Sequence, residues 1–273
     1  MAVFDFDAYT PAQIIDKVES IGVRKAALPL RGLFMLGAIA GAHVGLGALY
    51  FVLIVSDPAL SFAAARLLGG FAFSLGLILV VIAGSELFTG NNLLVMAWAE
   101  GMIGSAALAR NWSVVFVANA TGAVGLALLV YLANHGAMNS GAVAETYVRI
   151  AAAKAALPFG EAFFKGVLCN LLVCLAVWLA LAGRSVTDKV LAIVFPISLF
   201  VAAGFEHSVA NMYLLPLGML FKGALPQADV PAALEWSAVL HNLAAVTLGN
   251  IVGGSLLVAA VYFVIYRRTL RRK

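Results

Sequence analysis

The chain has 273 residues, 63% hydrophobic and only 11% charged, and its mean hydropathy is +1.03. Soluble domains carry about a quarter charged residues and leave much of their chain area exposed, so the apolar excess here must face lipid. A soluble enzyme, a disordered chain and a disulfide-stapled secreted domain are excluded. The net charge of +4 comes with no basic stripe interleaved with aromatics, so nucleic acid is not implied.

Taken in chain order, about the first 30 residues carry Asp5, Asp7, Asp16 and Glu19 and lack the short apolar core of a cleavable signal. Thr10, Pro11 and Gln13 instead read as a helix start. Ile14, Ile15, Val18 and Ile21 follow on one face, which predicts an amphipathic helix against the membrane surface or a neighbouring subunit. A membrane crossing needs about 20 apolar residues. Spans are expected at Leu33–Val55, Leu67–Trp98, Trp112–Ala133, Phe163–Ala182, Val190–Phe221 and Leu243–Tyr266. The second and fifth are too long for one plain crossing. The chain therefore divides into an N-terminal cytoplasmic segment (1–31), a six-helix transmembrane domain (32–266) and a short basic tail (267–273).

An even number of crossings puts both termini on one side. That side carries 12 of the Lys and Arg residues, while Arg66, Arg149, Lys154, Lys165 and Lys222 lie opposite, so both termini are expected in the cytoplasm. Each overlong span is interrupted by Ala-Gly-x-Glu, at Ala83–Glu86 and Ala203–Glu206, 120 residues apart. Asn119, Gly122 and Tyr131 recur as Asn250, Gly253 and Tyr262 at an offset of 131, and the first span loosely parallels the fourth. This predicts an all-α membrane protein of two inverted three-helix repeats, each with one broken helix. In such folds the breaks point to the permeation path.

Glu86 and Glu206 sit at the breaks. A carboxylate there either caps the following half-helix or touches the permeant, and capping is the simpler role. His207 is ionisable at mid-membrane and marks either a functional site or a side chain bonded within the break. Thr89 reaches it if the two breaks meet; Ser208 is a second compact hydroxyl there. Phe71, Phe73, Leu77, Leu87, Phe88 and Phe200 cluster around the breaks, as packing residues or as apolar constrictions. Lys154 either snorkels at the non-cytoplasmic interface or concentrates anions. His43, His135 and His241 read as structural or solvated, and Cys169 and Cys174 as small packing residues. No hydrolase, nucleotide-binding or zinc-protease motif occurs. Glu86, Glu206 and His207 are too few ligands to make an intramembrane metalloenzyme more than a remote alternative.

Four stretches carry a resemblance: A-G-S-E-L-F-T-G-N from Ala83, K-G-V-L-C-N-L-L-V-C-L-A-V-W from Lys165, G-F-E-H-S-V-A-N-M from Gly204 and V-T-L-G-N-I-V-G-G from Val246. They resemble the formate/nitrite transporter family of pentameric anion channels, and with the span pattern cover nearly the whole chain. The resemblance implies an aquaporin-like fold, a pore in each protomer of a homopentamer, a cytoplasmic (inner) membrane location and no cofactor. Carried over by position, His207 matches the central pore histidine and Thr89 its threonine partner. Leu77, Leu87 and Phe88 match the cytoplasmic constriction, Phe73 and Phe200 the periplasmic one. Lys154 matches a vestibule lysine that draws anions, and Asn170 a polar residue near the pore. The N-terminal segment resembles a helix that packs under some members and responds to pH.

A bare carboxylate entering an apolar constriction meets an idealised desolvation cost of tens of kcal/mol. An acid of pKa ~4 is only about one part in a thousand neutral at pH 7. The expected mechanism is therefore histidine-assisted protonation, with the anion crossing neutralised. Formate is the leading substrate, nitrite the next, hydrosulfide and other small monoacids behind.

Overall fold

The structure is a computed structural model and describes residues 7–224 and 234–269. Asp5 and the last basic residues, Arg271, Arg272 and Lys273, lie outside that range. All regular structure among the described residues is helical. The elements are α1 (Pro11–Ala26), α2 (Leu30–Val55), α3 (Phe62–Phe73), α4 (Leu75–Ala83), α5 (Val95–Ala99), α6 (Ser105–Leu132), α7 (Ala142–Ala155), α8 (Phe159–Ala182), α9 (Val186–Ala202), α10 (Ser208–Leu220) and α11 (Trp236–Ile251). The last continues through a wider π-type stretch at Val252–Ala260 to Thr269.

Five stretches are long and apolar enough to cross a bilayer: α2, α3 with α4, α6, α8 and α11 with its extension. The expected fifth span is divided. α9 has 17 residues and α10 has 13, and each is shorter than a plain crossing. Large apolar side chains such as Phe62, Leu132 and Leu240 face outwards, as a multi-pass membrane protein requires.

α1 starts as its sequence predicts. Gln13 Oε1 accepts from the Thr10 backbone N–H (2.8 Å) and lies 3.1 Å from its hydroxyl. Its apolar face does not lie on lipid. Ile14, Ile15 and Val18 are buried in a cluster with Leu93, Met96, Trp178 and Phe263 of the same chain. Arg267 at the end of the last helix pairs with Glu19 and Asp16 on α1, and Arg110 donates to the Ala26 and Leu28 carbonyls at the α1 C-terminus. Two arginines and an apolar seam thus fasten α1 to the bundle. It packs against the helical body.

Two helix pairs approach closely through glycine. A Cβ on Gly122 of α6 would lie 1.7 Å from the Ala38 carbonyl oxygen of α2, and one on Gly253 would lie 2.1 Å from the Val167 carbonyl oxygen of α8. Only the absence of a side chain allows such backbone contact. The equivalent tyrosines do not share an environment. Tyr131 packs on Phe221, while Tyr262 stacks on Trp178.

Candidate functional site

α4 ends at Ala83 because Gly84 turns left-handed (φ +78°), and α9 gives way likewise at Gly204 (φ +74°). The chain then runs without helix through Ser85–Phe88 and Phe205–His207. Backbone polar groups exposed by such interruptions must find partners inside the protein. They do so twice, in the same pattern. Asn119 Nδ2 donates to the Gly37 and Glu86 carbonyls (2.7 and 2.9 Å), and its Oδ1 accepts from the Phe88 N–H (2.9 Å). Asn250 Nδ2 donates to the Gly166 and Glu206 carbonyls (2.8 and 3.0 Å), and its Oδ1 accepts from the Ser208 N–H (2.9 Å).

The glutamates extend the pattern. Glu86 pairs with Lys25 (3.1 Å) and accepts from Asn91 Nδ2 (2.8 Å), which also donates to Asn111 Oδ1. Glu206 pairs with Lys154 (2.8 Å) and accepts from Asn211 Nδ2 (2.7 Å), which also donates to Asn242 Oδ1. The expected capping of backbone N–H groups by Glu86 and Glu206 is replaced by these side-chain contacts. Each carboxylate is nearly inaccessible, so a cation and an amide together offset its burial. Asn111 and Asn242 close the circuits by donating to the Lys25 and Lys154 carbonyls.

Lys25, Asn91, Asn111, Asn211 and Asn242 were not picked out by the sequence, and Asn119 and Asn250 only as markers of repetition. The 120-residue offset already linking Glu86 to Glu206 also links Asn91 to Asn211 and Leu87 to His207. At corresponding points of two like circuits, one break presents an isobutyl group and the other an imidazole.

His207 is buried where the breaks meet. Its Nε2 lies 2.9 Å from the Thr89 hydroxyl, and its Nδ1 accepts from the Ala210 N–H (3.1 Å). An accepting Nδ1 leaves the proton of the neutral ring on Nε2, so Nε2–H donates to Thr89. Asn170 donates to the Thr89 and Asn250 carbonyls and to Asn92 Oδ1. It braces the breaks from behind. Ser208 contributes its N–H to Asn250, and its hydroxyl has no protein partner among the described residues.

Two cavities approach the histidine from opposite ends. One, of about 270 Å³, is lined by α1 residues Val18, Ile21 and Lys25 and reaches Glu86, Leu77 and Leu87. The other, of about 330 Å³, is lined by Arg66, Lys154 and Lys165 and reaches Phe73, Phe200 and His207. Between them a chamber of about 10 Å³ is walled by Val44, Phe73, Leu77, Leu87, Val173, Ile197, Phe200 and His207. Its volume is at the lower limit for one water. The Phe200 ring meets Phe73 edge-on at 5.4 Å and lies nearly parallel to His207 at 6.0 Å.

Four of the five expected constriction residues thus border the chamber. Phe88 does not: its ring packs edge-on against Phe116 (5.1 Å) and Trp112 (6.2 Å) of α6. Phe71 is exposed, and His43 bonds Ser85 through Nδ1 (3.2 Å).

The sequence pattern described as formate/nitrite transporter matches residues 12–264. The chain belongs to the formate/nitrite transporter family. The family member is 38% identical to the formate channel FocA of Escherichia coli K12 over 96% of both chains. It is also 38% identical to a probable formate transporter of Methanothermobacter thermautotrophicus, covering 94% of this chain and 97% of that one. A solved pentameric formate channel with formate bound superposes with a TM-score of 0.79 at 34% identity, over 87% of this chain and 97% of the other. A solved ion channel of the same family gives 0.82 at 33%, over 93% and 98%. Like these channel and transporter relatives, the family member is a transport protein and not an enzyme.

Proposed function

We propose that each protomer passes small monovalent anions, formate first, through the two cavities and the chamber at His207. The observation that carries this reading is the placement of one imidazole between two open cavities, with apolar walls on both sides of it. Leu77 and Leu87 form the inner constriction and Phe73 and Phe200 the outer. Thr89 and His207 meet the permeant between them, and Lys154 raises the anion concentration at the outer mouth. The paired Glu86 and Glu206 hold the breaks open, with Asn170 behind Thr89.

The duplicated circuits support two inverted three-helix repeats in an aquaporin-like arrangement. α9 with α10, and α3 and α4 with α5, then make the two broken spans. Both termini lie in the cytoplasm, the membrane is the inner one, and residues 32–266 form the channel, with 267–273 a basic tail. α1, within 1–31, lines the inner mouth. The pentameric formate channel to which the chain is similar supports a homopentamer and formate as substrate.

Passage is histidine-assisted. His207 gains a proton at Nδ1 only by releasing the Ala210 N–H, which costs a hydrogen bond. An unpaired anion in an apolar chamber offsets that cost, because it strongly favours a cation beside it. The imidazolium then transfers its Nε2 proton to the carboxylate, and formic acid leaves as a neutral molecule. The ring is left neutral with its proton on Nδ1, and it regains the Ala210 bond only after taking a proton from water at Nε2 and releasing the one on Nδ1 to water.

Uptake of formate, nitrite and hydrosulfide by vesicles containing the purified protein tests the reading. Formate is expected to enter faster than into protein-free vesicles and faster than nitrite. Equal formate uptake with and without protein would overturn it.

A further inference from the structure

We propose that Arg66 is an outer binding station that selects anions with two coplanar oxygens, such as formate and nitrite, over single-centre anions such as hydrosulfide. The proposal rests on the reading of the chain as an anion channel.

Four cations line the outer cavity and its neighbour. Three have acidic partners: Lys154 with Glu206, Lys165 with Glu161 (2.7 Å) and Arg149 with Glu145 (2.6 Å). Arg66 has no carboxylate within ion-pair distance among the described residues. It lines the cavity that reaches His207 and also a second one, of about 280 Å³, with Phe51, Phe62, Thr146 and Arg149. An anion arriving at either cavity meets the same guanidinium.

The group is also held in place. Its central carbon lies 5.4 Å from the ring centre of Phe62, one helical turn earlier. On the other side it faces the break itself. A Cβ on Gly204 would have both Arg66 Nη atoms at 4.0 Å and no other neighbour that close. A stacked, part-buried guanidinium without a counter-ion keeps its donors available. Its fork fits two oxygens on one carbon or nitrogen, a geometry that lysine's single ammonium does not reproduce. Lys154, already committed to Glu206, supplies field but no fork.

The test is concentration-dependent uptake by vesicles containing wild-type, Arg66→Gln or Arg66→Lys protein. For formate, the half-saturating concentration is expected to rise about fivefold in Arg66→Gln, equivalent to about 1 kcal/mol, with maximal flux unchanged. Arg66→Lys should recover only part of that loss, and hydrosulfide should show a much smaller change. Unchanged formate half-saturation in Arg66→Gln, full recovery by Arg66→Lys, or an equal loss for hydrosulfide would overturn the proposal. If wild-type vesicles take up no formate, the channel reading fails, and modification of the detergent-solubilised protein by phenylglyoxal decides the station instead. Formate should protect Arg66 and leave Arg149 unprotected; no protection of Arg66 would reject the station.

Discussion

Asn250→Leu is expected to abolish the folded protein. The leucine side chain is close in volume to asparagine, but three buried partners lose their bonds: the Gly166 and Glu206 carbonyls and the Ser208 N–H. Each buried group left unsatisfied costs about 1–3 kcal/mol, which together rivals the whole stability of a typical domain. Water cannot replace the asparagine, because residues 206–208 and Asn250 are buried. Asn119→Leu removes the corresponding bonds at the other break and should act alike. Size-exclusion chromatography and thermal unfolding in detergent would check this. A variant with unchanged elution and melting temperature would show that the asparagines do not hold the breaks.

Lys154→Met and Glu206→Gln are each expected to destabilise the protein strongly, by about 3–5 kcal/mol, because either leaves an uncompensated buried charge. The two side chains are 16% and 5% exposed. Combining the substitutions removes both charges and keeps the amide at 206 able to meet Asn211. The double variant should therefore be more stable than either single one. Melting temperatures of the four proteins form the cycle. Additive losses would mean that the two groups are not coupled.

The breaks were legible in the sequence because glycine and glutamate interrupt otherwise apolar runs, and Gly84 and Gly204 do adopt the left-handed turn. The meeting of Thr89 with His207 was legible because ionisable and hydroxyl groups are conspicuous there. The direction of Phe88 was not. It lies in an irregular segment with no period to say which way a side chain points, and α6 supplies aromatic neighbours from residues 24 and 28 positions away. The asparagine circuits were hidden because their members come from different helices, although Asn91 and Asn211 share the 120-residue offset and Asn111 and Asn242 the 131-residue one. Lys25 was missed for a related reason. α1 shares little sequence with α7, yet it delivers a lysine to Glu86 as α7 delivers Lys154 to Glu206. An amphipathic pattern reveals that a helix has an apolar face without revealing which surface covers it.

Placing His207 on the path makes a direct demand on pH dependence. Lowering the pH raises the supply of protons on which the transfer to formate draws, so protein-mediated flux should rise as pH falls from about 8 to about 5. Asparagine retains an N–H donor near Thr89 but does not titrate there. The decisive measurement is formate flux into vesicles containing wild-type or His207→Asn protein across that range, with protein-free flux subtracted. The proposed mechanism requires the wild-type rise and a low, pH-independent flux in the variant. A variant that keeps the wild-type flux and its pH profile would contradict it.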